Sequence, residues 1–457
     1  MKKKTELDKI QTGQIARGLK LSRFYVSSST SLAKSAIRKL FLKEEQKGSY
    51  WSKLLSEQTQ ILSKEFGELK GSFMKVGQML SIYGEHFLPP EANQFLKQLQ
   101  MDSPPLKWER MRPLLEASLG DDYKSLKVNP GHLAAASLAQ VYEAEILESS
   151  ERIVLKIRYP GVDTAIDSDL AQMKRILTLL KLAPKSTHYD AVFSEVRTML
   201  KQEVDYEWEL EQLKSIAQLL KDDDRFVLPR AAEKYCRSNL IAMSFEEGSA
   251  VDSIEVANLS QSRRNQLGLA AVELFFRELF RWGKVQTDPH FGNYRIRIDQ
   301  GAGHDQWVLF DFGATRIYDP SFLDKYHAML RGTFEGNARA TIEAAKKLGF
   351  ITVDDSHSSQ KVFFDVCRLF LEPFHDVKDN PSLKTPFHDL EGQYDFAASD
   401  LPTRVAKKGS ELVWSTKLRA PPPEIVFLDR KMAGLYILLK VLRVKLNLRP
   451  LLEQYLP

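Results

Sequence analysis

The chain has 457 residues, 43% of them hydrophobic and 27% charged, with a formal net charge of +5. This is ordinary globular usage, enough for a two-lobed domain with extensions, and it excludes bulk disorder. Cys236 and Cys367 are too few for a disulfide framework, and no Cys-x-x-Cys or Cys/His cluster marks structural zinc, as expected of a reducing cytoplasm.

Charge is unevenly spread. Residues 1–43 hold eleven Lys and Arg against Glu6 and Asp8, a local +9 that leaves −4 for the remainder. Such an arm suits an anionic membrane surface, although a solvated, frayed terminus is the plainer reading. No nucleic acid is expected as a partner. Lys2, Lys3 and Lys4 are followed by Glu6 and Asp8 and by no apolar stretch of the kind a secretory leader carries. No apolar run reaches the roughly 18–20 residues of a membrane span, and the run Ala433–Leu439 is cut off by Lys440 and Arg443. The chain is read as cytoplasmic, or peripheral at the inner face of a membrane.

From Trp51 to about Tyr83, Leu54, Leu55, Ile61, Leu62, Phe66, Leu69 and Phe73 recur at three- and four-residue steps, which predicts helix. Pro89-Pro90 and Pro104-Pro105 bracket a further helix over 91–99. Strand signals begin after Pro130-Gly131: 138–146 and 153–157 are apolar runs joined by the polar stretch 148–152, a hairpin. One long helix, about 191–220, is expected next, then short strands at 226–228 and 240–245. An apolar helix follows over 260–282, and the chain reads as helical beyond about residue 320. Residues 376–402, rich in Asp, Pro and Ser, read as a surface loop. The expected organisation is α+β: a basic arm (1–43), a helical extension (44–125), an N-lobe of sheet plus long helix (126–247) and a helical C-lobe (248–457).

Phosphate chemistry needs a backbone-lined loop, a cation, oxygen ligands for metal and a group that orients the acceptor. The loop candidate is Ala134-Ala135-Ala136-Ser137, small residues that let backbone approach phosphate; alone, the run also fits helix or tight core. Lys156 lies inside a β-like run, where it either points at phosphate from a central strand or sits on a solvated edge. On one continuous helix, Asp205 and Glu209 would share a face while Glu203 points about 120° away from Glu209, offering carboxylates to two cations. The strongest local signal is Asp288-Pro289-His290-Phe291-Gly292-Asn293, followed by the apolar approach to Asp311-Phe312-Gly313. An Asp with an Asn five residues on matches a catalytic-loop base and metal ligand, and Asp-Phe-Gly supplies the main Mg²⁺ carboxylate. His290, between proline and phenylalanine, is read as a local packing or hydrogen-bonding residue rather than a proton carrier.

In that order these residues resemble the UbiB/AarF/ADCK family of atypical kinases, over about residues 45–445. The most specific likeness lies outside the kinase core, in Lys75-Val76-Gly77-Gln78, which reads as that family's K-x-G-Q motif. The alanine-rich loop, Glu203-Val204-Asp205 as E-x-D, Glu209, Asp288–Asn293 and Asp311 follow. The resemblance implies a bilobal protein-kinase-like fold whose K-x-G-Q helix, with Lys75 and Gln78, meets Glu203 and Asp205 as a regulatory lid. It implies ATP or ADP and Mg²⁺ as cofactors, with Lys156 on the phosphates, Glu209 on Lys156, Met243 near the base, Asn293 and Asp311 on the metal and Asp288 as catalytic aspartate. It points to an isoprenoid quinone precursor or a lipid as substrate. Phe291, Ala139, Val154 and Ser244 depart from the family pattern around the loop and base pocket. Two other readings stay open: a nucleotide-sensing scaffold without turnover, and a small-molecule kinase of the aminoglycoside or choline type, which shares the pattern of Asp288, His290 and Asn293.

Overall fold

The computed structural model describes residues 72–87, 90–98, 105–179, 182, 188–301, 303–375, 377–378, 380–415 and 422–456. The basic arm 1–43 and the start of the helical extension lie outside the described residues. The chain forms two compact units: one ends at Glu211 and also takes Arg230–Phe245, and the other is built from Gln212–Pro229 and Glu246 onward.

The first unit is built on a four-stranded antiparallel sheet. Its strands are β1 (Leu126–Ala135), β2 (Ala139–Ile146), β3 (Arg152–Arg158) and, after a crossover, β5 (Leu240–Ser244), in the order β1-β2-β3-β5. The alternation in β3 decides its faces: Ile153, Leu155 and Ile157 are fully buried while Val154 and Lys156 lie on the opposite face. Edge strand β1 is bulged around Pro130-Gly131 and mostly exposed, a shape that resists edge-to-edge pairing. Helices α1 (Ser72–Phe87), α2 (Pro90–Gln98) and α3 (Trp108–Leu119) precede the sheet. The fully buried Gln140 anchors the entry to α3, bonding Leu106 N–H and Leu106 C=O at 3.1 Å each.

Two features here correct the expectations above. A helix that was not foreseen, α4 (Val162–Leu179), follows β3 and buries Val162, Ile166, Leu170, Met173 and Leu177 at helical spacing. The single long helix is instead two, α5 (His188–Glu203) and α6 (Tyr206–Leu220). The reason is local: Asp205 Oδ1 accepts the Trp208 N–H at 3.0 Å, the geometry of an N-cap, so a new helix starts where the old one would have continued. Helix α1 packs against α4 and α5.

The second unit is mainly helical. Its largest sheet runs β4-β9-β8-β6, from β4 (Phe226–Val227), β6 (Ser249–Ala250), β8 (Tyr294–Arg297) and β9 (Gln306–Leu309), with β4 parallel to β9. Strands β7 (Lys284–Gln286) and β10 (Thr315–Ile317) form a separate ribbon, as do β11 (Tyr394–Asp395) and β12 (Lys445–Leu446). After the short α7 (Ile254–Ala257), α8 (Gln261–Phe276) continues into a π-helical turn, Arg277–Trp282, that ends at the left-handed Gly283. Then come α9 (Pro320–Phe334), α10 (Ala338–Lys347), α11 (His357–Phe370), α12 (Leu401–Ser415), α13 (Pro423–Val441) and α14 (Arg449–Tyr455). Trp307 sits at the centre, 2% exposed, with its indole N–H bonded to Leu267 C=O at 3.0 Å.

The described part of 376–402 is largely irregular and lies at the surface, as its composition suggests, but it is anchored at one point. Tyr394 is fully buried, and its hydroxyl meets Glu372 and Ser399 at 2.5 Å, while Arg404 clasps Glu372 through two 2.6 Å bonds. A few aromatic anchors outweigh the polar residues around them.

Candidate active site

In the first unit, Lys156 lies on a central strand, opposite Val141 of β2 and Ile241 of β5. Its Nζ is 2.7 Å from Glu209 Oε1 and 2.9 Å from Oε2. Glu209 is 3% exposed; an unpaired carboxylate so placed would be costly, and Lys156 is the partner that offsets it. The Tyr206 ring lies 5.5 Å from the same ammonium. Arg158, two residues along β3, donates to Val204 C=O and pairs with Asp163 at 3.0 Å, tying the strand to the interhelix break.

The helix break is what aims the carboxylates. Glu203 closes α5 and its Oε1 lies 2.5 Å from Lys75 Nζ of α1. Asp205 is spent on the N-cap of α6, and Glu209 lies in that helix's first turn. Gln78 is half-buried on α1 and accepts the Ser81 hydroxyl through its backbone carbonyl at 2.8 Å.

Ala134 and Ala135 end β1, and Ala136 and Ser137 begin the turn to β2. Ala136 N–H donates to Ala139 C=O at 2.9 Å, and the three alanines are exposed, so the hairpin tip presents backbone with no long side chain. Met243 pairs with Val154, which places both on the same sheet face as Lys156. Ser244 is tied down by its hydroxyl, which accepts Arg230 N–H at 2.8 Å.

In the second unit, Asp288 follows β7 and Asn293 precedes β8. Asn293 Nδ2 donates to Asp288 Oδ2 at 3.1 Å and to Asp288 C=O at 3.2 Å, which leaves the side-chain oxygen Oδ1 of Asn293 as the atom that could ligate a metal. Asp288 Oδ1 accepts from Arg430 Nη2 of α13 at 2.7 Å. His290 caps the turn, its Nδ1 accepting Gly292 N–H at 2.9 Å, in line with the local role read for it. Phe310 N–H donates to Asn293 C=O at 2.9 Å, so the two loops share a backbone bond. Asp311 has φ +58°, a left-handed conformation that costs a non-glycine residue on the order of 1 kcal/mol and is characteristic of functional loops. Its Oδ1 accepts Gly313 N–H at 3.3 Å.

Among the described residues no group of three or more His, Cys, Asp or Glu side chains is arranged to hold a metal on its own. Mg²⁺ that shares its shell with phosphates and water needs only one or two protein oxygens, and an Asp carboxylate with an Asn carbonyl is the hard-oxygen set it prefers. The residues present therefore fit Mg²⁺.

Several members of this site carry no motif. Arg430 holds Asp288, and one helical turn on, Gly434 meets the same loop: a Cβ there would lie 2.1 Å from Pro289 Cβ. Lys431 is 7% exposed, 3.5 Å from Glu278 Oε2 and 3.3 Å from the Tyr294 hydroxyl. Gln286 bridges the Asp288 and Asp311 loops. The one signal that could have found Arg430 and Lys431 is a pair of cations at the head of the most apolar C-terminal stretch, where a charge needs a reason.

The ABC1 atypical kinase-like domain matches residues 98–345. Atypical kinase COQ8 of Saccharomyces cerevisiae, mitochondrial, is 30% identical over 393 residues, covering 85% of this chain and 74% of that protein. The Caenorhabditis elegans atypical kinase coq-8, mitochondrial, is 27% identical over 381 residues, covering 83% of this chain and 48% of its own length. The rat atypical kinase COQ8B, mitochondrial, is 27% identical over 390 residues, covering 84% and 69%. A solved Mycobacterium tuberculosis structure, of Rv3197 with erythromycin, superposes with a TM-score of 0.58 at 23% identity, over 90% of this chain and 98% of the other. That likeness is one of fold. The K-x-G-Q helix joined through Lys75 to Glu203 of the E-x-D run, the Lys-Glu pair and the match over more than half the chain converge: this protein belongs to the ABC1 family of atypical kinases.

Proposed function

We propose that the chain is a Mg-nucleotide-dependent phosphotransferase or ATPase of the UbiB type, serving isoprenoid quinone or lipid metabolism. The observation that carries this reading is the Lys156–Glu209 pair, a buried carboxylate holding a lysine on a central strand. In this role Lys156 would grip nucleotide phosphates, with Glu209 fixing its direction, and the backbone of 134–137 would cover them. Met243 and Val154 would flank the base. Asp311 and Asn293 would hold Mg²⁺, which with the nucleotide supplies a transferable phosphoryl group and charge neutralisation. Asp288, kept in place by Arg430 and Asn293, would orient the attacking hydroxyl or water.

Purified protein with ATP, Mg²⁺ and anionic vesicles tests the reading: phosphate release should be measurable and should disappear in Asp311→Asn. Equal release from both proteins would reject it. A nucleotide-sensing scaffold is the second reading, favoured by the Lys75–Glu203 pair that ties α1 to α5. Thermal stabilisation by nucleotide with no release would select it.

No helix among the described residues is long and apolar enough to cross a membrane. The +9 arm of residues 1–43 is the segment we propose to meet an anionic membrane surface. Co-sedimentation with anionic but not neutral vesicles, weakening as salt rises, is the expected result.

A further inference from the structure

Gln286 is 5% exposed and uses both ends of one amide on backbone groups of two different loops. Its Oε1 accepts Asp288 N–H at 3.1 Å, and its Nε2 donates to Asp311 C=O at 3.0 Å. Because one partner is an N–H and the other a carbonyl, the orientation of the amide is dictated by chemistry. Of the side chains of this length that are uncharged at neutral pH, only glutamine offers one acceptor and one donor from the same planar group. Asp311 is also the residue whose left-handed backbone has to be held against its preference.

Gln286 is itself held from behind. Its N–H points to Glu278 Oε1 at 3.4 Å, and Glu278, 3% exposed, lies in the π-helical turn that extends α8. Burial pushes the Glu278 carboxyl up, while Lys431 and the Gln286 N–H pull it back. A π turn shifts side-chain direction by one residue relative to a continuing α-helix, and Glu278 is presented from such a turn.

We propose that Gln286 is a positioning residue for phosphoryl transfer: a single amide sets the placement of the acceptor-orienting Asp288 against that of the metal-binding Asp311, with Glu278 as its support. The inference rests on the roles assigned above to Asp288 and Asp311.

Two variants of the full chain test it. Gln286→Met keeps the length and removes both bonds. Gln286→Glu keeps the acceptor for Asp288 N–H but, when ionised, sets oxygen against the Asp311 carbonyl. With ATP, the Mg²⁺ concentration giving half the maximal thermal shift should rise about tenfold or more in Gln286→Met, the scale of one or two lost buried hydrogen bonds. Gln286→Glu, which loses only the bond to Asp311, should raise it as well. A purely structural role would lower the melting temperature of both and leave Mg²⁺ dependence unmoved, and that result would overturn the proposal. Failure of wild type to respond to Mg-ATP would sink the functional reading instead. Amide exchange over 311–314 in the nucleotide-free protein then decides positioning on its own. It should be faster in Gln286→Met than in Tyr394→Phe, a control in the same unit, and equal exchange rejects the role.

Discussion

Glu203 and Glu209 belong to different helices and hold different lysines: Glu203 meets Lys75 at 2.5 Å, and Glu209 meets Lys156 at 2.7 and 2.9 Å. Asp205 stands between them as the residue that ends one helix and caps the next. Two functions that look like one acidic run in the chain are thereby separated in direction.

Removing Glu209 leaves Lys156 in a half-buried place without its carboxylate. Glu209→Gln should weaken Mg-nucleotide binding about tenfold to a hundredfold, corresponding to a charge-assisted bond of about 1.5–3 kcal/mol. Calorimetric titration with a non-hydrolysable nucleotide checks this, with unchanged affinity as the opposing result.

Asp205→Ala should cost about 1 kcal/mol through loss of the N-cap, while Asp205→Asn should cost a few tenths at most. Urea unfolding separates the two. If the break also aims Glu209, Asp205→Ala lowers nucleotide affinity as well, and Asp205→Asn spares it.

Helix α13 touches the Asp288 loop twice. Arg430→Met removes a 2.7 Å bond to Asp288 and should reduce turnover about tenfold or more with little change in nucleotide affinity. Gly434→Ala forces a methyl into Pro289 and should destabilise the protein by about 1–3 kcal/mol while also slowing turnover. Steady-state kinetics with parallel thermal melts checks both.

Asp223 lies in a closed network with Arg225, Glu273 and Arg277, its partners at 2.7–2.8 Å. Its hydrogen bonds to Arg225, against the opposing effect of burial, hold its carboxyl down at about 2. The folded pKa lies below the unfolded one, so the stabilisation is complete above about pH 4 and is lost as pH falls toward 2. Asp223→Asn should remove on the order of 2 kcal/mol at neutral pH and flatten the acid limb of the urea midpoint against pH.

The sequence by itself determined which residues are proposed to carry the chemistry. The apolar, β-like run around Lys156, the Asp288–Asn293 spacing, Asp311-Phe312-Gly313 and Lys75–Gln78 are short-range patterns, and short-range patterns survive being read one residue after another. Long-range order decided the rest. The break at Asp205 depends on a side chain choosing a backbone N–H over continued helix, a competition of about 1 kcal/mol that periodicity does not register. The anchoring of the 376–402 loop through buried Tyr394, Glu372 and Ser399 is a contact that its composition does not register. Arg430 reaches Asp288 across 142 residues of chain, and Gln286 joins two loops whose adjacency exists only once β7 pairs with β10. Motif residues are dictated by the reaction and so are visible locally; the residues that aim them are dictated by whatever the fold brings near, and packing alone chooses those.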